Sequence, residues 1–159
     1  MRTLMESARA AKAASVLTAQ LDTESKNRAL RAIAAALVER TEEILDSNGR
    51  DMESARARGM ESSLLARLML NAQRIGGMAE GLRQVAELPD PVGEVMEQWT
   101  RPNGLLIKKV RVPMGVIGMI YEARPNVTVD AAALTFQAGR AALLRSSASA
   151  FGSSPALVR

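Results

Sequence analysis

The chain has 159 residues, 47% of them hydrophobic but only 3% aromatic, and a formal net charge of +4. That length fits one domain with a core built from Ala, Leu, Val, Ile and Met. Cysteine and histidine are both absent, which excludes a disulfide framework, a thiolate metal site, a cysteine nucleophile and a histidine general base within these residues.

The basic residues are scattered among acidic ones, and pairs such as Lys108-Lys109 lack interleaved aromatics. The expectation is a solvated surface and no nucleic-acid partner. The first residues lack the apolar core of a signal peptide, and no apolar run reaches membrane-spanning length. The chain therefore reads as cytoplasmic, with no membrane partner and no metal.

In chain order, Thr3 to about Gln20 has a helical pattern with Leu4, Ala8, Ala11, Ser15 and Val16 on one face. Leu21-Asp22-Thr23 breaks it, and Asp22 or Thr23 can cap a second helix. From Glu24 the positions Leu30, Ile33, Leu37, Ile44 and Leu45 form one apolar stripe, as in a helix packed on neighbours. Asn48-Gly49 is expected to end or bend it before a helical segment from Asp51 to Arg58. A short helix follows Ser62-Ser63. Asn71 can cap another that runs to about Leu88, and Pro89-Asp90-Pro91 is a stop. Residues 1–90 thus read as a helical layer without evident chemistry.

Residues 91–112 change period. Val95 to Thr100 and Leu105 to Val112 alternate weakly about Asn103-Gly104, the signature of a hairpin. Its open edge suits pairing with another subunit or plain solvation. Residues 113–159 then read as strand, turn, helix, strand. Met114 to Tyr121 is a short Val- and Ile-rich run suited to a strand covered on both faces. Pro125 breaks the run, Asn126 can cap a helix with Val127, Ala131, Leu134 and Ala138 on one face, and Gly139 sits at its C-terminal end. Ala141 to Leu144 supplies a second strand, giving one βαβ unit. The serines after Arg145 can present backbone N–H groups to a phosphate or form an ordinary turn. Neither a GxGxxG run nor a Walker loop occurs.

The run from Arg111 to Thr128, RVPMGVIGMIYEARPNVT, resembles the corresponding stretch of the γ-glutamyl phosphate reductase family. So do Glu24-Ser25-Lys26-Asn27, Leu64 to Leu68, Leu88 to Val95 and Trp99 to Gly104, in order and spacing. The resemblance covers essentially the whole chain, but only the N-terminal part of a family chain more than twice as long. It implies the aldehyde dehydrogenase fold, here incomplete: an α/β chain with an N-terminal helical layer, a β-hairpin and the start of a Rossmann-like parallel sheet, its catalytic domain absent.

The implied reaction is NADPH-dependent reduction of L-glutamyl 5-phosphate to glutamate 5-semialdehyde and phosphate, a step of proline biosynthesis. A cysteine thiolate would displace phosphate to give a thioester, and each tetrahedral intermediate would need oxyanion donors. On that resemblance Asn126 is the oxyanion donor, the nucleophilic cysteine lying outside this chain. Ile120, Tyr121, Glu122 and Ala123, with Arg145, Ser146 and Ser147, would bind NADP(H). Arg124 would meet an anionic group of the substrate or form a surface ion pair. Glutamate 5-kinase is a candidate partner, and the full-length enzyme is expected to be a homo-oligomer. The family commonly has glycine where this chain has Ser146, a lysine at Gln137, and Gly-Asn at Gly139-Arg140.

The chain alone is expected to be inactive, because it has no thiol. Two other readings stay open: a non-catalytic helical interaction module or decayed remnant pairing through its hairpin, and a stand-alone dinucleotide binder.

Overall fold

The computed structural model describes residues 3–122 and 124–158. Helix α1 (Leu4–Thr18) starts in a capping box: the Thr3 hydroxyl accepts the Glu6 N–H, and the Glu6 carboxylate accepts that of Thr3. The expected apolar face of α1 is not buried. Leu4 is 68% and Val16 55% exposed, and only Ser15 is enclosed. Asp22 caps α2 (Thr23–Glu39) through the Ser25 N–H.

The single stripe expected from Glu24 to Leu45 is carried by two helices. Arg40 leaves helical geometry (φ −99°, ψ 19°), and α3 (Thr41–Ala57) starts directly after it. Conversely, Asn48-Gly49 neither ends nor bends α3. The Asn48 side chain is buried, where it donates to the Leu68 carbonyl and the Ser153 hydroxyl and accepts the Leu70 N–H. With its polar atoms satisfied by other segments, it does not compete with its own backbone, and the helix continues.

Helix α4 (Ser62–Leu68) is short, and α5 (Ala72–Glu87) is capped by Asn71 through the Arg74 N–H. The main core joins Leu30, Leu37 and Ile44 to Ile75, Met78 and Leu82 of α5, with Leu70 beneath. Every one of these is nearly excluded from water, and burying a side chain of this size contributes about 2 kcal/mol. No helix of the described residues is long and apolar enough to cross a membrane.

Beyond the proline stop, β1 (Val95–Thr100) and β2 (Leu106–Val110) pair antiparallel with Trp99 opposite Ile107. Gly104 makes the turn at φ +84°, a conformation glycine adopts without steric cost. Most of the hairpin is exposed on both faces. The second sheet pairs β3 (Val116–Ile120) parallel with β4 (Ala141–Arg145), joined by α6 (Pro125–Gln137).

Three details of this unit differ from expectation. Its first strand is not covered on both faces, since Ile120 is 84% exposed. On α6, Ala131 is buried as expected, but Leu134 points outward, and Val129 and Ala133 are enclosed instead. Asn126 does not cap α6 either. Pro125 occupies the first helical position and holds Arg124 extended, so Arg124 is the cap residue and Asn126 lies inside the first turn. At the other end Gly139 (φ +68°) closes the helix, and a Cβ there would press Pro113 and Val92 at 3.1 Å.

After β4 the chain makes a 3-10 turn (Ala148–Ala150) and a last short helix, α7 (Ser153–Ala156). The Asp51 carboxylate of α3 accepts the N–H groups of Gly152 and Ser153 and the Ser153 hydroxyl. Ala156 and Leu157 thereby enter the main core.

Candidate functional site

The carboxyl ends of parallel strands, where connections leave the sheet, are the usual ligand edge of such folds. Here β3 leads to Tyr121, and α6 begins four residues later; the first turns of α6 contribute to two separate clefts.

The first cleft, about 430 Å³, is lined by Arg124, Asn126 and Asp130 of the first turns of α6 and by Arg67, Arg74 and Gly77 opposite. The Asn126 amide donates to the Asp130 carboxylate at 3.4 Å, a long and therefore weak hydrogen bond one turn along the helix. Partial burial of the carboxyl against the cleft wall raises Asp130 above its ordinary value, and the Asn126 hydrogen bond only partly opposes that. No ion pair among the described residues reaches Asp130.

The three guanidinium groups differ. Arg74 is occupied, donating to the carbonyls of Ala66 and Met69 at the end of α4. Arg67 and Arg124 are exposed, with no side-chain hydrogen bond or ion pair among the described residues. The surface ion pair expected as the alternative for Arg124 does not form among the described residues. The arrangement is a positively charged hollow with an amide donor and one carboxylate on its helix side. Such a hollow can hold an anion.

The second cleft, about 540 Å³, lies beyond the end of β4 and is lined by Tyr121, Arg145, Ser146 and Ser147, together with Thr128 and Ser154. The Tyr121 hydroxyl and the Thr128 hydroxyl are 2.6 Å apart, tying the strand end to the helix. The hydroxyls of Ser147 and Ser154 are buried without a hydrogen-bond partner among the described residues. Unpaired buried hydroxyls beside an exposed guanidinium match what a phosphorylated or ribose-bearing ligand needs.

Four of the sequence-chosen cofactor residues thus share one cleft. Ile120 and Glu122 stand at the same strand end without lining it, and Ala123 lies outside the described residues. Asn126 and Arg124 share the other cleft. Sequence reasoning missed Asp130, Arg67, Arg74 and Ser154. The four-residue spacing from Asn126 would have pointed to Asp130. The others arrive through the packing of α4, α5 and α7, which no local pattern reveals. A third hollow of about 470 Å³, bordered by Leu37, Phe136 and Leu157, is mostly apolar, with Arg40 and Arg140 among its lining and no carboxylate.

No family model matches the chain. The gamma-glutamyl phosphate reductase of Desulforamulus reducens is 58% identical over 151 residues, covering 95% of this chain and 36% of the relative. That of Anoxybacillus flavithermus is 53% identical over 158 residues, covering 99% of this chain and 38% of the relative. The chain is homologous to gamma-glutamyl phosphate reductases along nearly all of its own length.

It spans little more than a third of the length of these curated relatives and corresponds to their N-terminal part. The crystal structure of the gamma-glutamyl phosphate reductase of Thermotoga maritima superposes with a TM-score of 0.96 at 44% identity, covering 99% of this chain and 38% of that one. The Saccharomyces cerevisiae gamma-glutamyl phosphate reductase gives 0.91 at 29% identity, covering 99% and 40%. The chain thus has the α/β architecture of the N-terminal part of the aldehyde dehydrogenase fold. With no cysteine in the sequence, the nucleophile of such an enzyme is not among these residues.

Proposed function

We propose that this chain supplies the oxyanion donor and the cofactor cleft of an NADPH-dependent reductase that converts L-glutamyl 5-phosphate to glutamate 5-semialdehyde in proline biosynthesis. The reaction balances as acyl phosphate plus NADPH and a proton giving aldehyde, phosphate and NADP. The observation that supports it best is Asn126: an amide donor in the first turn of a helix, facing a guanidinium-lined cleft at the sheet's ligand edge. An acyl phosphate carries anionic oxygens that such a cleft attracts, and its carbonyl oxygen gains charge when attacked. A preplaced amide hydrogen-bonds that oxygen more strongly in the transition state than before it. The attacking group must come from residues outside this chain.

The second cleft fits a phosphorylated dinucleotide. Arg145 would hold a phosphate as a bidentate donor, the Ser146 and Ser147 segment would face the ribose, and the unpaired Ser147 and Ser154 hydroxyls would gain partners. Tyr121 would border the same ligand beyond the end of β3, with Ile120 and Glu122 beside it. NADPH, once bound, supplies hydride; the chain's own residues bind and orient it. The exposed Met96, Trp99, Leu106 and Val110 of the hairpin favour pairing with a second copy in the whole enzyme. Glutamate 5-kinase, as source of an unstable acyl phosphate, remains the proposed partner, and the cytoplasm the proposed compartment.

The test is to graft this chain onto the rest of the Thermotoga maritima reductase and follow NADPH absorbance with glutamyl phosphate. Turnover is expected, and Asn126→Ala should lower kcat about 100-fold or more. A graft that turns over equally well with alanine at that position would refute the role of Asn126. Failure of the graft to oxidise NADPH, while its Thermotoga parent does so, would sink the reductase reading.

A further inference from the structure

We propose that the cleft beside Asn126 recognises the α-amino acid end of its substrate, with Asp130 taking the α-ammonium group and the Arg124 and Arg67 guanidinium groups the α-carboxylate. This inference rests on the reductase reading for its choice of ligand and adds the residues that select it.

The argument begins with what is left over. Anion attraction alone would call for a cleft of one sign, yet this one carries a carboxylate on its helix wall. That carboxylate is not there to neutralise an arginine, because no ion pair among the described residues reaches it. Among the described residues its single side-chain partner is the Asn126 amide at 3.4 Å. Among the same residues Arg124 and Arg67 have no side-chain partner, whereas Arg74 is consumed by the carbonyls of Ala66 and Met69. One anion and two cations therefore face a common hollow without satisfying one another. A zwitterionic ligand end satisfies both signs at once.

Lengths agree. Asn126 and Asp130 are one helical turn apart, about 6 Å along the axis. In a glutamyl group the carbon under attack and the α-nitrogen are four bonds apart, roughly 5 Å when extended, at ordinary bond lengths. A substrate whose carbonyl oxygen meets Asn126 therefore carries its ammonium to the level of Asp130. The same docking replaces a long neutral donor on Asp130 by a charged one, the stronger type of hydrogen bond. The Asn126 amide is then released from its neighbour and free to face the carbonyl oxygen. Glutarate-type acids, which have both carboxyl ends and no ammonium, would leave that amide where it is.

The experiment titrates the 159-residue chain with L-glutamate and, separately, with glutarate, while following backbone and side-chain amide resonances. L-Glutamate should saturably shift the amides of Gly77, Val127 and Asp130 and move the Asn126 side-chain NH₂ signal; glutarate should leave that NH₂ signal in place. Asp130→Asn should weaken L-glutamate about tenfold or more and leave glutarate within about twofold, while Arg124→Met should weaken both about tenfold. Asp130 and Arg124 are exposed, and unchanged circular dichroism separates lost binding from lost fold; should Arg124→Met unfold, Arg67→Met takes its place. The proposal is overturned if L-glutamate shifts none of these amides, or if Asp130→Asn affects the two acids alike. The graft described above judges the reductase reading independently. Discrimination by Asp130 without NADPH turnover sinks that reading alone, and turnover without discrimination sinks this inference alone.

Discussion

Lys26, wholly buried in α2, forms an ion pair with Asp90 in the proline-flanked segment that leads to the hairpin. The same ammonium group donates to the Gln137 carbonyl at the end of α6, at 3.1 Å. Asp90 also accepts from Thr23 and from the Val92 N–H. One cation therefore joins a helix of the first layer, the entry to the hairpin and the exit of the crossover helix. Removing the cation alone leaves a largely enclosed carboxylate and a carbonyl without their donor. Lys26→Met should therefore cost about 3 kcal/mol in urea unfolding. The double variant Lys26→Met, Asp90→Asn should cost less than Lys26→Met by itself. A single-variant loss below about 1 kcal/mol would contradict this account.

Acid should loosen the same junction. Burial opposes ionisation of Asp90, but Lys26, the Val92 N–H and Thr23 outweigh it and hold the carboxyl below its ordinary value. Asp22, whose carboxylate caps α2 through the Ser25 N–H, is lowered as well. A carboxyl with a depressed folded pKa lends stability that is complete above its unfolded pKa and is lost as pH falls through the folded one. Stability should therefore decline below pH about 4. Asp130 runs the opposite way: its raised value favours the folded state below the ordinary carboxyl pKa and is lost as a stabiliser as pH rises through the folded one. Midpoints measured from pH 6 down to pH 3 should show a smaller acid loss for Asp90→Asn than for the parent; equal slopes would count against the assignment.

Gly76 lies on the exposed side of α5, and a Cβ there would meet nothing within 4 Å. It has neither a close approach nor a left-handed conformation to justify it. Gly76→Ala should stabilise the chain by about 0.8 kcal/mol, seen as a raised urea midpoint with an unchanged slope. A lower midpoint would mean that this face of α5 is occupied in solution.

Asn48 ties the middle of α3 to the α4–α5 connection and to α7. Asn48→Leu leaves the buried Leu70 N–H and Leu68 carbonyl without these bonds, and should cost about 3 kcal/mol. Hydrogen exchange should quicken at Leu70 and around Ser153 before it quickens in α2. Uniform acceleration throughout the chain would show that the residue is not a local tie.

The features visible in the sequence are those whose cause is local. Asp22 and Asn71 could be read as caps because a short side chain satisfies an N–H three residues on. Asn103-Gly104 and Gly139 were legible because only particular residues tolerate a positive φ. The parallel pair β3 and β4 followed from two short apolar runs separated by a helix. What escaped was set by distant partners. Asn48 looks like a helix breaker until Leu68, Leu70 and Ser153 surround it. Leu4 and Val16 look like core, yet the surfaces that α1 meets in this chain enclose Ser15 instead. In the candidate site, Asn126 stood out through the specificity of its surrounding motif, and Arg145 through its match to the family segment at the end of the second strand. Arg67 and Ser154 carry no such mark, and only folding brings them to the clefts.

The bond between Tyr121 and Thr128 has a mechanical consequence. It fastens the residue after β3 to the second turn's side of α6, the helix that carries Asn126. Repositioning of the Asn126 carboxamide is then a pivot about its own side-chain bonds, a movement that gives up only the long hydrogen bond to Asp130.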